Sequence, residues 1–240
     1  MAGNDPLVAV LTGAGVSAES GVATFRGAGG LWEGHPIEEV ATPWAFARDP
    51  LKVWRFYAAR REQALGCRPN AAHLGLAELE GRLEGRFALA TQNVDGLHQE
   101  AGSRGVLELH GSLWRVRCTR CGEEREDRTV PFPDLPPLCP RCTGMLRPAV
   151  VWFGEVLPGE VFGAAVEAAE HCSLLLVVGT SAVVEPAASL ARVAAARGAK
   201  VWEVNPERTP LTPICDRSWQ SPAGRVMAEV VDEAIKAVKR

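Results

Sequence analysis

Apolar residues gather in four short runs that each break abruptly into small or polar residues: Leu7 to Leu11, Phe87 to Ala90, Leu174 to Val178 and Val201 to Val204. Runs of this length, bounded by turn-forming residues, predict strands buried on both faces. Helical patterns lie between them, so the layout is α/β with a parallel sheet. The tails of the runs are Thr12-Gly13-Ala14-Gly15, Thr91-Gln92-Asn93-Val94-Asp95, Gly179-Thr180-Ser181 and Asn205-Pro206-Glu207. Open parallel sheets bind ligands beyond the carboxyl ends of their strands, so these tails are candidate walls of one crevice. Asp49 as a cap with Pro50 in the first turn predicts a helix to about Leu65, and a second runs from Pro186 to Arg197, stopped by Gly198. Val226, Met227, Val230, Val231, Ala234 and Val238 recur at helical spacing and predict a closing amphipathic helix.

Residues 118 to 142 interrupt this rhythm. Five prolines, Pro131, Pro133, Pro136, Pro137 and Pro140, crowd a stretch bracketed by Cys118-Thr119-Arg120-Cys121 and Cys139-Pro140-Arg141-Cys142. Two C-x-x-C pairs at this separation read as a zinc ribbon, and four thiolates leave no open coordination position, which favours a structural Zn2+ over a catalytic one. Cys67, Cys172 and Cys215 have no such arrangement and read as small core or surface residues.

Composition narrows the class. At 240 residues the chain suits one main domain with insertions, and 47% hydrophobic with 23% charged residues is ordinary for a soluble globular protein. No apolar stretch is long enough to span a bilayer, and no export signal is read before the first strand. The formal net charge of −3, with acidic and basic residues interspersed, implies no nucleic-acid surface. Paired cysteines without an export signal favour a reducing compartment, so a cytoplasmic location is expected.

The chemistry gathers at the tails. Gly13-Ala14-Gly15-Val16-Ser17-Ala18 is a G-x-G-x-x-A that suits close backbone approach to a dinucleotide pyrophosphate, although a glycine turn of another α/β protein reads the same. The acidic ribose ligand expected some twenty residues on is not evident. The chain instead enters Thr24-Phe25-Arg26-Gly27-Ala28-Gly29-Gly30. Gln92, Asn93 and Asp95, with His110 in Leu109-His110-Gly111, offer an amide, a carboxylate and an imidazole, groups that suit carboxamide recognition and proton transfer near neutral pH. Each alone is ambiguous, and a single His after a strand is more often structural than catalytic until other motifs accompany it. His73 reads as a packing or capping residue, and His35, His98 and His171 have no evident role.

In order along the chain, Gly13-Ala14-Gly15-Val16-Ser17, Thr24-Phe25-Arg26-Gly27, Thr91 to Asp95, Leu109-His110-Gly111, the four cysteines, Val151-Trp152-Phe153-Gly154-Glu155, Val178-Gly179-Thr180-Ser181 and Asn205 together resemble the sirtuins. The resemblance spans nearly the whole chain. It implies a Rossmann-like domain from 1–30, 71–113 and 150–240 with a smaller domain from 31–70, helical, and 114–149, the zinc module. It also implies an enzyme that consumes NAD to remove acyl groups from protein lysines, releasing nicotinamide and leaving the acyl group on ADP-ribose. By similarity His110 is the general base for a ribose hydroxyl, Asn93 and Asp95 hold the nicotinamide carboxamide, and Gln92 meets the ribose. Gly13, Ala14, Gly15, Arg26, Gly179, Ser181, Asn205 and Glu207 line the rest of the NAD site, with Ala223 beside the adenine. The segment from Val151 to Glu155 resembles the one that pairs with an extended substrate peptide.

One feature bears on the acyl group. Tyr57 and Arg60 stand three apart on the helix opened by Asp49 and so share a face. They are either a solvated helix face or a phenol and guanidinium that hold a carboxylate, which Arg can grip with two hydrogen bonds. Tyr57-Ala58-Ala59-Arg60 also resembles the Y-x-x-R motif of the sirtuin class that removes succinyl, malonyl and glutaryl groups, and small Ala41 leaves room for such a chain. Succinyl- or malonyl-lysine is therefore the expected substrate, with acetyl-lysine as a second. The competing readings are a mainly deacetylating enzyme, protein ADP-ribose transfer, a hydride-transferring oxidoreductase suggested by the glycine turn, and a non-catalytic zinc-ribbon binding module.

Overall fold

Strand β1, Val8–Thr12, is buried along its entire length, as a strand at the middle of a sheet covered on both faces must be. In the computed structural model, which describes residues 6–23, 31–32 and 35–239, β1 leads through Gly13 into a 3-10 segment, Ala14–Ser20, that Gly21 ends in a left-handed conformation. A short antiparallel pair follows, β2 (Leu31–Trp32) and β3 (His35–Pro36), then helices α1 (Ile37–Val40), α2 (Pro43–Arg48) and α3 (Pro50–Gly66). The start of α3 is set as expected: the Asp49 carboxylate accepts the Lys52 N–H at 2.9 Å, with Pro50 in the first turn. Helix α4 (Ala71–Arg82) is capped by Asn70, with His73 completing a reciprocal capping box.

Next come β4 (Phe87–Thr91), α5 (Leu97–Glu100) and β5 (Leu107–Glu108). The chain then leaves the main sheet along β6 (Gly111–Cys118), turns through β7 (Glu124–Glu126) and returns along β8 (Leu146–Val150). The remaining elements are α6 (Gly159–His171), β9 (Leu174–Val178), α7 (Ser189–Ala196), β10 (Lys200–Val204), β11 (Arg217–Trp219) and α8 (Ala223–Val238). Helix α7 starts three residues later than its pattern suggests, because Ser189 and Leu190 bond to Pro186 and Ala187 in tight turns before α-helical bonding begins.

The main sheet is parallel throughout, in the order β11-β10-β9-β1-β4-β5. The chain winds outward from β1 first through β4 and β5, then returns to the other side of β1 for β9, β10 and β11, so the topological switch lies between β1 and β9. The register aligns Thr12 with Thr91 on one side and Val178 on the other, and Val178 with Val204. All four strands named from sequence therefore end at one level, and their tails open onto one rim. Helices α4 and α8 cover one face through Leu76, Leu79, Met227, Val230 and Ala234, while α6 and α7 cover the other through Ala165, Ala169, Leu190 and Ala194. This is the Rossmann-like α/β arrangement expected from sequence.

The second sheet, β7-β6-β8, is antiparallel. Helix α3 is fastened to it. The Trp54 indole N–H donates to the Leu146 carbonyl at 2.8 Å and its ring packs edge-on to Phe132. Buried Arg61 lies over the rings of Trp114 and Phe132, donates to the Asp127 carbonyl and sits 3.3 Å from the Asp127 carboxylate. Among the described residues no helix is long and apolar enough to cross a membrane.

Candidate functional site

The rim at the switch point is built by close backbone approach. Gly179 has φ +60, and a Cβ there would lie 2.3 Å from the Val16 nitrogen; one on Gly15 would lie 2.7 Å from the Gly179 carbonyl oxygen. The Gly15 N–H donates to that carbonyl at 2.7 Å. Only glycine fits this junction, which seats the first turn directly against the tail of β9. Half-buried Ala14 and exposed Ser181 flank it. At the end of β10, the Asn205 side-chain amide donates to the Glu207 carbonyl at 2.8 Å. Ala223 is buried at the start of α8, where the Gly224 N–H bonds the Glu19 carboxylate at 2.7 Å and ties this helix to the first turn. Arg26 lies outside the described residues.

Asn93 and Asp95 converge on Ser17. The Ser17 hydroxyl donates to the Asp95 carboxylate at 2.8 Å and accepts the Asn93 amide N–H at 3.0 Å. It also lies 3.2 Å from His73 Nε2. Since His73 Nδ1 faces the Asn70 N–H at 3.3 Å as an acceptor, Nε2 carries the proton and donates to Ser17. Burial pushes the Asp95 carboxyl above its ordinary range, opposed by the Leu97 N–H and Ser17 hydrogen bonds and by the Arg60 guanidinium. Burial likewise drives His73 down to about 4. Next to it, ring centroids 4.9 Å apart, buried His98 meets the Thr12 hydroxyl at 2.9 Å, and Thr12 in turn donates to Thr91 at 2.7 Å. Burial and the neighbouring His73 lower His98 to about 3. Thr91 accepts the Asn93 N–H at 3.0 Å, so this second chain holds the main chain that presents Asn93.

Thus Ser17, His73, His98, Thr12 and Thr91 belong to the site's scaffold; sequence reasoning put Thr12 and Thr91 in the crevice walls and Ser17 in the glycine motif without assigning them a role, and gave His73 and His98 no place there. For His73 the signal was half present, since Asn70 three residues earlier marks a capping box. Ser17 sits inside the glycine motif. His98 and the threonines carry no local signal for the bonds that join them, because those partners lie 79 and 86 residues apart.

His110 is half-buried where β5 hands over to β6. Its Nδ1 lies 3.0 Å from the Gln92 carbonyl, which accepts and so places the proton on Nδ1 and the basic lone pair on Nε2. Burial lowers its pKa below the usual histidine value, with the Gln92 bond opposing. The β6–β8 register pairs Gly111 with Val150, and the Val151 N–H donates to the His110 carbonyl at 2.9 Å. The segment from Val151 to Glu155 is thereby fixed beside the imidazole. Arg147 braces it, making a two-pronged contact to Glu155 at 2.6 and 2.9 Å and lying 3.5 Å over the Trp152 ring. Gln92 donates to the Thr180 hydroxyl at 3.0 Å, joining the β4 and β9 tails.

Tyr57 and Arg60 are not a solvated helix face: they are 1% and 5% exposed. The Trp152 indole N–H donates to the Tyr57 hydroxyl at 3.0 Å, and the Phe153 N–H to the Ala41 carbonyl at 3.0 Å. Helix α3 and Ala41 therefore border the Val151–Glu155 segment.

The four cysteine sulfurs lie within 4.8 Å of one another, with Cys118–Cys142 at 3.5 Å and Cys121–Cys139 at 3.9 Å. A tetrahedral zinc with bonds of about 2.3 Å requires sulfur separations of roughly 3.8 Å. The donor set and spacing fit one structural Zn2+. The N–H groups of Cys121 and Arg120 point at Cys118 Sγ and bring that thiol down to about 6, toward the thiolate a metal requires.

Comparison with known proteins agrees with this geometry. The pattern of the Sir2 family matches residues 13–186. "NAD-dependent protein deacylase 2" of Pyrobaculum aerophilum is 54% identical over 230 residues, 96% of this chain and 92% of that protein. "NAD-dependent protein deacylase sirtuin-5, mitochondrial" of Xenopus tropicalis is 47% identical over 249 residues, 93% of this chain and 81% of that protein. A crystal structure of a Sir2 homolog–NAD complex superposes with a TM-score of 0.88 at 52% identity, covering 96% of this chain and 90% of that one.

Proposed function

The chain belongs to the Sir2 family, and from that premise we propose that it is an NAD-dependent protein-lysine deacylase with a preference for acidic acyl groups, succinyl and malonyl, over acetyl. In this reading the part of the chain formed by 1–30, 71–113 and 150–240 binds NAD, and the part formed by 31–70 and 114–149 supplies acyl recognition and the zinc module. NAD serves as a substrate: its nicotinamide leaves and its ribose accepts the acyl group. Gly13, Ala14, Gly15, Gly179 and Ser181 border the pyrophosphate side at the glycine junction, and Arg26, which lies outside the described residues, joins them by resemblance alone. Asn205, Glu207 and Ala223 take the adenosine half, while Asn93 and Asp95 take the carboxamide and Gln92 the ribose.

The observation that carries the catalytic part is the His110 tautomer. With Nδ1–H held by the Gln92 carbonyl, Nε2 is the lone pair that accepts a proton from a ribose hydroxyl. The lowered pKa keeps that nitrogen unprotonated at neutral pH. Zinc contributes by fixing β6, the turn after it and β8, and through them the His110 and Val151 main chains. The N–H groups of Val151, Trp152, Phe153 and Glu155 are all engaged within the chain, so an extended peptide pairs with the carbonyl oxygens of this segment and the Gly154 N–H.

The acyl preference rests on the burial of Tyr57 against Trp152 and of Arg60 one turn further along α3. A carboxylate reached by a guanidinium and a phenol gains hydrogen bonds of about 1.5 to 3 kcal/mol each, enough for tenfold preference or more. The test is nicotinamide release from NAD with matched succinyl-lysine and acetyl-lysine peptides, using the native protein, Tyr57→Phe, Arg60→Met and His110→Ala. Faster succinyl turnover, lost selectively in the first two variants and abolished with both peptides in the third, is expected. Acetyl turnover at least as fast, untouched by the Tyr57 and Arg60 changes, refutes the preference; no nicotinamide from either peptide refutes the deacylase.

A further inference from the structure

At the outer side of the sheet, Glu203 on β10 is 1% exposed, yet its carboxylate is met by three hydroxyl groups. Thr209 donates to Oε1; Thr212 donates to Oε2 at 2.6 Å and Ser218 at 3.1 Å. Ser218 is the β11 residue directly opposite Glu203 in the parallel register. The two threonines have no choice of orientation. The Thr209 hydroxyl already accepts the Leu211 N–H at 3.1 Å, and the Thr212 hydroxyl accepts the Thr209 N–H at 2.8 Å. Each therefore turns its single hydrogen toward the carboxylate, and Glu203 becomes the common anchor of a closed ring of bonds.

The segment this ring closes is 205–211, the loop that carries Asn205 and Glu207. At its near end the Asn205 N–H donates to the Trp219 carbonyl at 3.1 Å and its side chain spans to the Glu207 carbonyl. At its far end Leu211 is buried in the core under α6 and α7. Between these points the described contacts that hold the loop to the sheet run through Thr209 and Glu203.

We infer that Glu203 is a positioning residue for the adenosine half of NAD: it sets the loop bearing Asn205 and Glu207 through the Thr209, Thr212 and Ser218 hydroxyls and touches no substrate itself. The inference rests on the NAD reading above. It separates the two ends of the site. His110, Asn93 and Asp95 depend on β4 and β5, on the far side of β1 from β10, and on β6 of the second sheet. A Glu203 defect therefore weakens NAD binding without slowing chemistry.

The experiment is Glu203→Gln, which keeps the shape but replaces one acceptor oxygen with a donor, so at least one hydroxyl loses its acceptor. Calorimetric binding of ADP-ribose and steady-state nicotinamide release are measured for the native protein and the variant. A rise of about tenfold in the ADP-ribose Kd and in KM for NAD is expected, with kcat, peptide KM and nicotinamide inhibition within about twofold. An unchanged Kd in a folded variant overturns the inference, as does a fall in kcat together with a rise in peptide KM, which marks general loosening. Should Glu203→Gln not fold, Thr212→Val and Ser218→Ala each remove one donor and decide the matter by the same split. Native protein that binds neither NAD nor ADP-ribose overturns the functional reading itself, an outcome visible before any variant is made.

Discussion

The paired buried imidazoles beneath the site give the protein a specific acid sensitivity. His73 and His98 are 0% and 1% exposed, and burial holds them down to about 4 and about 3, against 6.5 for the unfolded chain. Below pH 6.5 the unfolded chain takes up protons that the folded chain refuses, so stability falls as pH falls; above 6.5 neither state is protonated at these sites and the effect vanishes. Each group contributes about 1.4 kcal/mol per pH unit, from 6.5 down to its own folded value. Between pH 7 and pH 5 that is about 2 kcal/mol for each histidine and about 4 kcal/mol for the pair, a large share of a typical stability. Asp95 and Glu108, both pushed upward mainly by burial, act with the opposite sign. A variant isolates the histidine contribution. His98→Gln retains an amide that can donate to Thr12 but cannot take up a proton, and the remaining groups are common to both proteins. Urea unfolding followed by tryptophan fluorescence at pH 7, 6 and 5 reads the difference. The native protein is expected to lose about 2 kcal/mol more than His98→Gln between pH 7 and pH 5. Parallel pH slopes, or a steeper slope in the variant, refute the assignment of a strongly lowered His98.

Three further outcomes follow from the geometry. The rate with saturating peptide is expected to be flat from pH 7 to 8 and to fall on acidification through a pKa below 6.5, because the proposed base, His110, must be unprotonated to act and burial lowers its value; a limb centred above 6.5 in the pH–rate profile of kcat/KM refutes that role. Chelation is expected to lower the melting temperature and loosen β6 to β8 together with α3, since Trp54 and Arg61 fasten that helix to the module; full metal loss with unchanged melting and hydrogen exchange refutes a structural zinc. Gly179→Ala places a methyl 2.3 Å from the Val16 nitrogen at φ +60 and is expected to cost about 2 kcal/mol or more and to abolish ADP-ribose binding, as calorimetry and thermal melting will report; normal binding by this variant refutes the close junction of the first turn with β9.

Sequence by itself determined the elements whose information is local. The four central strands announced themselves because strands buried on both faces need unbroken apolar runs, and Asp49–Pro50 fixed the start of α3 because a cap and a φ-restricted residue act within one turn. The zinc cluster was legible for the same reason: C-x-x-C places two thiolates on one knuckle, so two such pairs already contain the ligand set. The edge strands β5 and β11 were not legible, since two or three residues carry no period. Only the tertiary structure decided what the polar residues do. Tyr57 and Arg60 could have faced water until α3 was seen packed against Trp152. The tautomer of His110 was open until the Gln92 carbonyl was found beside Nδ1. His98 gave no sign of its place, and neither did Glu203, because a buried polar group is defined by partners that the sheet register brings to it: Thr12 across 86 residues for one, Ser218 across a strand pair for the other. Local chemistry writes strands, caps and metal knuckles into the chain; hydrogen-bond satisfaction in a low-dielectric interior is settled only when distant segments meet.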